Sequence, residues 1–172
     1  MLQALDAGGV RRWAAACVQA LEAHREAIDR INVYPVADND TGSNLLHTLR
    51  SALEKLQHFP PDSTAGQAVT ALSKGALLGA RGNSGVIASQ LLRGWAEALA
   101  DAGTITGPGL RAALARGAEL ARAAVSEPVP GTMLSVLDAA AAGAGDGEPD
   151  GLGAVVRGAA WAAARALEQT PS

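Results

Sequence analysis

Apolar side chains return every three or four residues along almost the whole chain. Trp13, Cys17, Ala20, Leu21 and Ile28 recur at this interval, then Leu45, Leu49, Leu53 and Leu56, and later Leu110, Leu114, Ala118 and Ala121. That period suits one face of an α-helix and no strand, so the spacing predicts an all-α chain. Breakers divide it at residues 32–40, at "HFPPDSTAGQ" around Pro60 and Pro61, at "GARGNSG" (79–85), "DAGTITGPG" (101–109), "SEPVPGT" (126–132) and "GAGDGEPDG" (143–151). Seven or eight helices follow, most of three to five turns. The only aromatics are Trp13, Trp95, Trp161, Tyr34 and Phe59. Ala and Gly must therefore let the helices approach closely, and chemistry is expected in loops at one end of a stiff bundle.

With 172 residues, one domain spanning 1–172 is expected. A net charge of −3, with Lys and Arg scattered, gives no basic footprint, so no nucleic-acid partner is expected. The single Cys17, on the apolar side of the first helix, excludes an internal disulfide and reads as a small buried hydrophobe. The N-terminus lacks the charged-then-apolar order of a signal peptide, and no apolar run is long enough for a transmembrane segment. These features predict a soluble cytoplasmic protein.

The stretch "NVYPVADNDTGSN" (32–44) interrupts this pattern. Pro35 sets an extended entry, Asp38 and Asp40 stand one residue apart, and "TGSN" opens a helix whose first N–H groups have no partner within it. Two adjacent like charges are unfavourable unless water or a cation lies between them. One reading is an ordinary cap by Asp40 or Thr41, with Asp38 solvated. That leaves the second carboxylate and the neighbouring Thr41, Ser43 and Asn44 unexplained. Oxygen-only donors on a loop suit a hard cation such as Mg²⁺, which keeps waters and borrows phosphate oxygens from a substrate.

In "LLGARGNSGVIASQLL" (77–92), Gly79, Gly82 and Gly85 flank Asn83 and Ser84 ahead of an apolar helix, with Arg81 alongside. Backbone N–H groups there can face an anion, and a plain glycine joint capped by Asn83 is the alternative. The Walker lysine is absent. In "EPVPGTMLSVLDAA" (127–140), Thr132 and Met133 open a helix and could touch a nucleoside; a cap and a core Met are the commoner explanation. His24, His47 and His58 are dispersed with no zinc-ligand spacing, and no Ser-His-Asp ordering stands out.

Taken together, "INVYPVADNDTGSN", "GARGNSGVIASQLLRG" and "EPVPGTMLSV" resemble the N-terminal kinase domain of the bacterial fatty acid kinase and, more distantly, the ATP-binding L subunit of dihydroxyacetone kinase. The resemblance spans nearly the whole chain and implies a closed barrel of about eight antiparallel helices, with ATP or ADP and two Mg²⁺ ions in the loops at one end. It implies Asp38 and Asp40 as metal ligands and Asn32 as a candidate third. Thr41, Gly42, Ser43 and Asn44 would lie near the phosphates, Gly82, Asn83, Ser84 and Gly85 in the phosphate-binding turn, and Thr132 and Met133 over the nucleoside. Two departures stand in the first loop: Asn39 replaces a common glycine and Ala37 a usual proline.

The implied reaction moves the γ-phosphoryl of ATP to a fatty acid carboxylate, with Asp38, Asp40 and Arg81 as the catalytic groups. An ionised carboxylate needs no general base, which leaves positioning and charge neutralisation. The partners implied are a fatty-acid-binding carrier protein and downstream domains of a longer chain, with room for a homodimer formed through the full-length protein. Phosphorylation of a dihydroxyacetone-type hydroxyl, separated by acceptor choice, and a nucleotide-binding module without transfer activity of its own are the rivals.

Overall fold

A computed structural model of the chain describes residues 3–32, 38–145 and 151–170. Pro35 and Ala37, the proposed extended entry and the proline replacement, lie outside the described residues. Seven helices follow one another: α1 (Ala7–Ile31), α2 (Thr41–Gln57), α3 (Ala65–Gly79), α4 (Gly82–Ala98), α5 (Gly107–Ala123), α6 (Met133–Gly143) and α7 (Leu152–Leu167). Among the described residues there is no strand. Leu5 and Ile105 form a lone antiparallel bridge that ties the chain start to the α4–α5 turn.

Neighbouring helices run antiparallel. The start of α2 lies on the end of α1, because Gly42 abuts the Arg25 carbonyl. At the opposite end, the Arg11 guanidinium near the start of α1 donates to the Leu56, Phe59 and Pro60 carbonyls, at 2.6, 3.1 and 2.8 Å. Those carbonyls lie at the last turn of α2 and in the residues just after it. The fold therefore places three connections, α1–α2, α3–α4 and α5–α6, at one end, and the others opposite.

The helices meet at very short range, as the shortage of aromatics suggests. A Cβ added at Gly94 of α4 would stand 2.5 Å from the Cα and amide nitrogen of Gly117 of α5. A Cβ added at Gly143 of α6 would stand 2.7 Å from the Gly158 carbonyl of α7. Side chains at these positions would separate the backbones, so the helix pairs exist in this form only because the residues are glycine.

Close packing by small residues also shifts which face is buried. The spacing of Trp13, Cys17 and Ala20 suggested one face of α1, yet the buried residues are Ala7, Val10, Ala14 and Val18. Trp13 is 39% exposed and stacks at the rim on Trp95, with ring centroids 5.3 Å apart. Cys17 is half-buried rather than enclosed, and burial pushes its thiol pKa up. In α2 and α5 the leucines at 45, 49, 53, 110 and 114 are likewise half-buried, while Ala52, Ala113, Gly117 and Ala121 are buried. Small side chains take much of the line of closest approach and several bulky ones splay to either side of it, while Leu46 and Leu56 of α2 stay buried.

The main core joins α1 to α5 around Leu56, Val69, Leu72, Leu92 and Leu99. Two smaller clusters follow, one of Ile87, Ala121 and Leu134, the other of Ala140, Ala144, Val155 and Ala159. The all-α architecture is as the spacing predicts, with seven helices among the described residues. The ends of the series do not pack extensively on each other: α1 lies on α2 and α3, and α7 on α5 and α6. The outer side of α7 accordingly leaves Val156, Trp161 and Leu167 exposed. No helix is long and apolar enough to cross a membrane among the described residues.

Replacing Gly94 with Val should lower stability by about 1–3 kcal/mol, because the added carbons meet backbone that cannot yield. Gly103→Ala, where nothing lies within 4 Å of the added carbon, should stay within about 0.5 kcal/mol of the parent. Urea unfolding of the two variants measures the contrast, and equal losses would contradict the packing argument.

Candidate functional site at the loop end

The helices differ in how their first N–H groups are satisfied. Asp6 accepts from the Gly9 amide at 2.7 Å to cap α1, Thr64 and Gln67 form a reciprocal capping box on α3, and Thr106 caps α5. The three helices that begin at the opposite end, α2, α4 and α6, have Asp40, Arg81 and Thr132 at the cap position, and none makes a side-chain cap bond. At the end where α1 begins, cap side chains close α1, α3 and α5, while α7 begins at Gly151 without one. The other end presents the positive dipole ends of three helices, none closed by a bond from its own cap side chain.

The first loop is built from the end of α1. Asn32 closes that helix, its amide donating to the Asp29 carbonyl at 3.3 Å. Its side-chain Nδ2 donates to the Asp38 Oδ1 at 2.5 Å. Asn32 thus turns its amide donor toward Asp38 and orients that carboxylate. Asp38 and Asn39 are exposed and Asp40 half-buried. Asn39 has φ of 54°, a left-handed backbone that glycine adopts most easily and asparagine tolerates. The Asn39 departure from the family's glycine therefore keeps a residue suited to the conformation. Asp40 leaves its carboxylate out of the cap, so capping explains neither aspartate.

Behind the loop sits a carboxylate that the sequence reading passed over. Asp29 accepts from the Ser43 amide at 3.0 Å and from the Ser43 hydroxyl at 2.7 Å. Partial burial opposes its ionisation, but the Ser43 hydroxyl, the Ser43 and Gly42 amides and the nearby Arg25 charge outweigh that and hold its pKa below the ordinary carboxylate range. Ser43, expected near the phosphates, instead directs both its amide and its hydroxyl to Asp29. Gly42 is buried against α1, where a Cβ would stand 2.5 Å from the Arg25 carbonyl and 3.0 Å from the Asp29 Oδ1. An acidic residue in the last turn of a helix opposes the helix dipole. That mismatch was the available signal in "AIDRIN".

The second motif meets the first through Asn44 and Gly82. Gly82 has φ of 60°, and a Cβ there would lie 2.3 Å from the Asn44 Nδ2. Thr48, fully buried, holds the joint from beneath. Its hydroxyl donates to the Asn44 carbonyl at 2.8 Å and accepts weakly from the Arg81 amide at 3.4 Å, while Gly85 packs against it without a side chain. Thr48 was also missed; a polar residue among the leucines of α2 marks it. Thr41 begins α2 beside Asp40 and Ser84 is half-buried in the first turn of α4. Arg81 is exposed and extended, ahead of that turn.

Asn83 connects to the third motif. Together with Val86 it lines a cleft of about 370 Å³ whose other wall is Ala124, Val125, Ser126 and Glu127. Thr132 and Met133 do not line it. The Thr132 hydroxyl donates to the Val129 carbonyl at 2.8 Å, and the Gly131 amide, at φ of 74°, donates to the Ser135 hydroxyl. Met133 packs on the cluster of Ile87, Ala121 and Leu134. Thr132 stands at the cap position without a cap bond and Met133 is a core residue, and the cleft wall comes from 124–127.

The donor set at this end is oxygen only. Among the described residues, no three His, Cys, Asp or Glu side chains converge as a ready cage for a metal. Asp38 and Asp40 provide two carboxylates beside the starts of α2 and α4. This fits a hard cation that takes its remaining oxygens from water and a phosphate group.

Comparison with known proteins agrees with the motifs. The family profile described as DAK2 domain matches residues 35–172. The chain is 39% identical over 140 residues to Protein YloV of Bacillus subtilis, covering 81% of this chain and 25% of that protein. It is 41% identical over 118 residues to an uncharacterized protein of Staphylococcus saprophyticus, covering 69% of this chain and 21% of the relative. A Staphylococcus aureus relative is 41% identical over 123 residues, covering 72% and 22%. The chain spans only about a quarter or less of these relatives' length.

Asp29 should make stability pH-dependent in a defined direction. Its pKa is lowered in the folded state, so its contribution is fully present above the unfolded value near 3.9 and fades as pH falls through the lower folded value. Asp29→Asn should melt below the parent at neutral pH, and the gap should close below about pH 4. Thermal melts from pH 7 to pH 2 check this; a gap constant over the whole range would refute the assignment.

Proposed function

The chain belongs to the DAK2 domain family, which is kinase-related, and from that premise we propose that it is an ATP- and Mg²⁺-dependent phosphotransferase domain acting on a fatty acid carboxylate to give an acyl phosphate. The observation that carries the reading is the asymmetry of the caps. The starts of α2, α4 and α6, whose own cap residues make no side-chain bond, share the end that holds Asp38 and Asp40, with Asp29 occupying the first-turn amides of α2. A polyphosphate suits the donors, and a divalent cation suits the two carboxylates.

Asp38, oriented by Asn32, and Asp40 hold the metal in this reading. When bound, Mg²⁺ draws phosphate oxygens together and offsets their charge. The first-turn amides of Gly82, Asn83 and Ser84 donate to the phosphates, and the Asn44 side chain borders them. Arg81, exposed beside this turn, offsets the charge that builds up during transfer. The Asn83 cleft accepts the nucleoside. A carboxylate acceptor arrives ionised, so no residue has to remove a proton.

A carrier protein presents the fatty acid in this reading, and regions of a longer chain help to dock it. The length of the relatives, about four times the matched part, supports that division of labour.

Mg·ATP at about 100 times its Kd should raise Tm by about 5–10 °C, from about 2.7 kcal/mol of linkage. Asp38→Ala and Asp40→Ala should each remove the Mg²⁺-dependent part of that shift while melting like the parent without ligand, since neither carboxylate caps α2. A folded parent that ignores Mg·ATP would sink the reading. Transfer is a separate matter: given ATP and the lipid-loaded carrier, residues 1–172 should form acyl phosphate at least about a hundredfold more slowly than a full-length relative, since near-attack positioning is lost. Equal rates would show that the 172-residue unit is a complete kinase.

A further inference from the structure

Only two lysines occur in the chain, against twelve arginines, and both line one cleft. Lys55 on α2 and Lys74 on α3 border a hollow of about 270 Å³ whose remaining wall is Phe59, Gln67, Thr70 and Ala71. It lies near the end of α2, 14 residues and roughly 20 Å along the helix from Thr41 at a rise of 1.5 Å per residue. The candidate nucleotide site is therefore elsewhere.

The packing brings the Lys55 stem onto α3, where it also borders an adjoining hollow that holds Glu54 and His58. Gly75 has no side chain where α3 crosses α2, and a Cβ there would stand 2.7 Å from the Lys55 Cβ. The Lys55 stem consequently lies directly on α3, next to the residue that follows Lys74. The arginines behave differently: Arg50 pairs with Glu22, Arg93 and Arg116 with Glu97, and Arg122 with Asp138. Neither lysine forms an ion pair or hydrogen bond among the described residues, and no carboxylate lines the cleft. Gln67 uses its carbonyl oxygen on the Thr64 amide, which leaves its NH₂ group as a further donor at the wall. Thr70 returns its hydroxyl proton to the Gly66 carbonyl, so its oxygen can still accept. The floor below, Phe59 and Ala71, is apolar and continuous with the main core.

We propose that this α2–α3 cleft binds a small anionic amphiphile, an alkyl carboxylate or alkyl phosphate. Its head group sits between Lys55 and Lys74 with the Gln67 amide as a third donor, and its alkyl chain lies along Phe59. Two like charges in one apolar-floored groove repel until an anion enters between them. The lysine stems and the Phe59 ring cover the chain while the ammonium groups hold the head. A free inorganic anion satisfies only the charge and a neutral alcohol only the floor. The inference does not rest on the nucleotide reading, and no nucleotide is used to test it.

With two lysines, reductive methylation using ¹³C-formaldehyde gives one methyl signal for each, plus the N-terminal amine as reference, and keeps the charge. Titration of the folded chain with octanoate or octyl phosphate should move both lysine signals to saturation and leave the reference in place. Inorganic phosphate and octanol should each need at least tenfold higher concentrations. By calorimetry, Lys55→Gln and Lys74→Gln should each weaken octanoate binding by about tenfold or more, the loss expected for one charge-assisted contact. Both lysines are exposed and Gln is as good a helix former as Lys, so the variants should fold. Absent or non-saturating lysine shifts in the parent would overturn the proposal. So would an equal response to inorganic phosphate, which marks a simple anion site, or undiminished affinity in both variants.

Discussion

Helix backbones in this protein touch one another almost directly, and the rest of the structure depends on that contact. With a single Phe and a single Tyr in the sequence, there is little bulk to fill wide spaces between helices. Gly94 against Gly117 and Gly143 against Gly158 bring whole helices to the distance at which Ala side chains can complete the packing. The same constraint builds the loop end. Gly42 lets the first turn of α2 lie on the Arg25 carbonyl, and this puts Ser43 within reach of Asp29. A wider α1–α2 spacing would break that pair of hydrogen bonds and displace the Asp38–Asp40 loop that follows from the end of α1.

From this geometry follows a division between the two ends. At one, Asp6, Thr64 and Thr106 satisfy their helices, the Leu5–Ile105 bridge fastens the chain start, and Arg11 closes α2. At the other, three helices begin without side-chain caps, held instead by contacts beneath the surface: Asp29 under α2, Thr48 between α2 and α4, and Ser135 at the turn before α6. Asp29 takes the Ser43 amide of α2 and Thr48 the Arg81 amide before α4, so each holds the backbone from beneath. Asp29 occupies the first-turn donors of α2, while the starts of α4 and α6 have no cap side-chain acceptor, as a preorganised anion site requires.

The aspartates illustrate why local chemistry and tertiary geometry must be combined. As sequence, Asp38-Asn39-Asp40 is compatible with a solvated turn. In the fold, Asn32 holds Asp38, the left-handed Asn39 sets the turn, and Asp40 keeps its carboxylate off the helix it precedes. Asp29 lies nine residues before Asp38 in sequence and serves a different purpose, anchoring the helix through Ser43. The three aspartates therefore divide into two that no cap bond occupies and one that is structural.

The helical class, the positions of the breaks and the residues of the loop end could be read from the sequence, because periodicity and turn chemistry are local properties encoded within a few residues. The "NDTGSN" and "GNSG" stretches were legible for the same reason. Which face of α1 is buried was not: Trp13 and Cys17 look like core residues, but close packing selects Val10, Ala14 and Val18 and leaves the bulkier side chains at the rim. Asp29 and Thr48 were illegible as site residues because their roles arise from partners 14 and 33 residues away in sequence, Ser43 and Arg81. Met133, read beside a nucleoside, packs on Ile87 and Ala121 because the α5–α6 turn carries it inward. The sequence by itself determined which segments are helices and which residues stand at their starts. Only the tertiary structure decided which starts share an end and which polar groups support them, since both depend on how near one backbone can come to another.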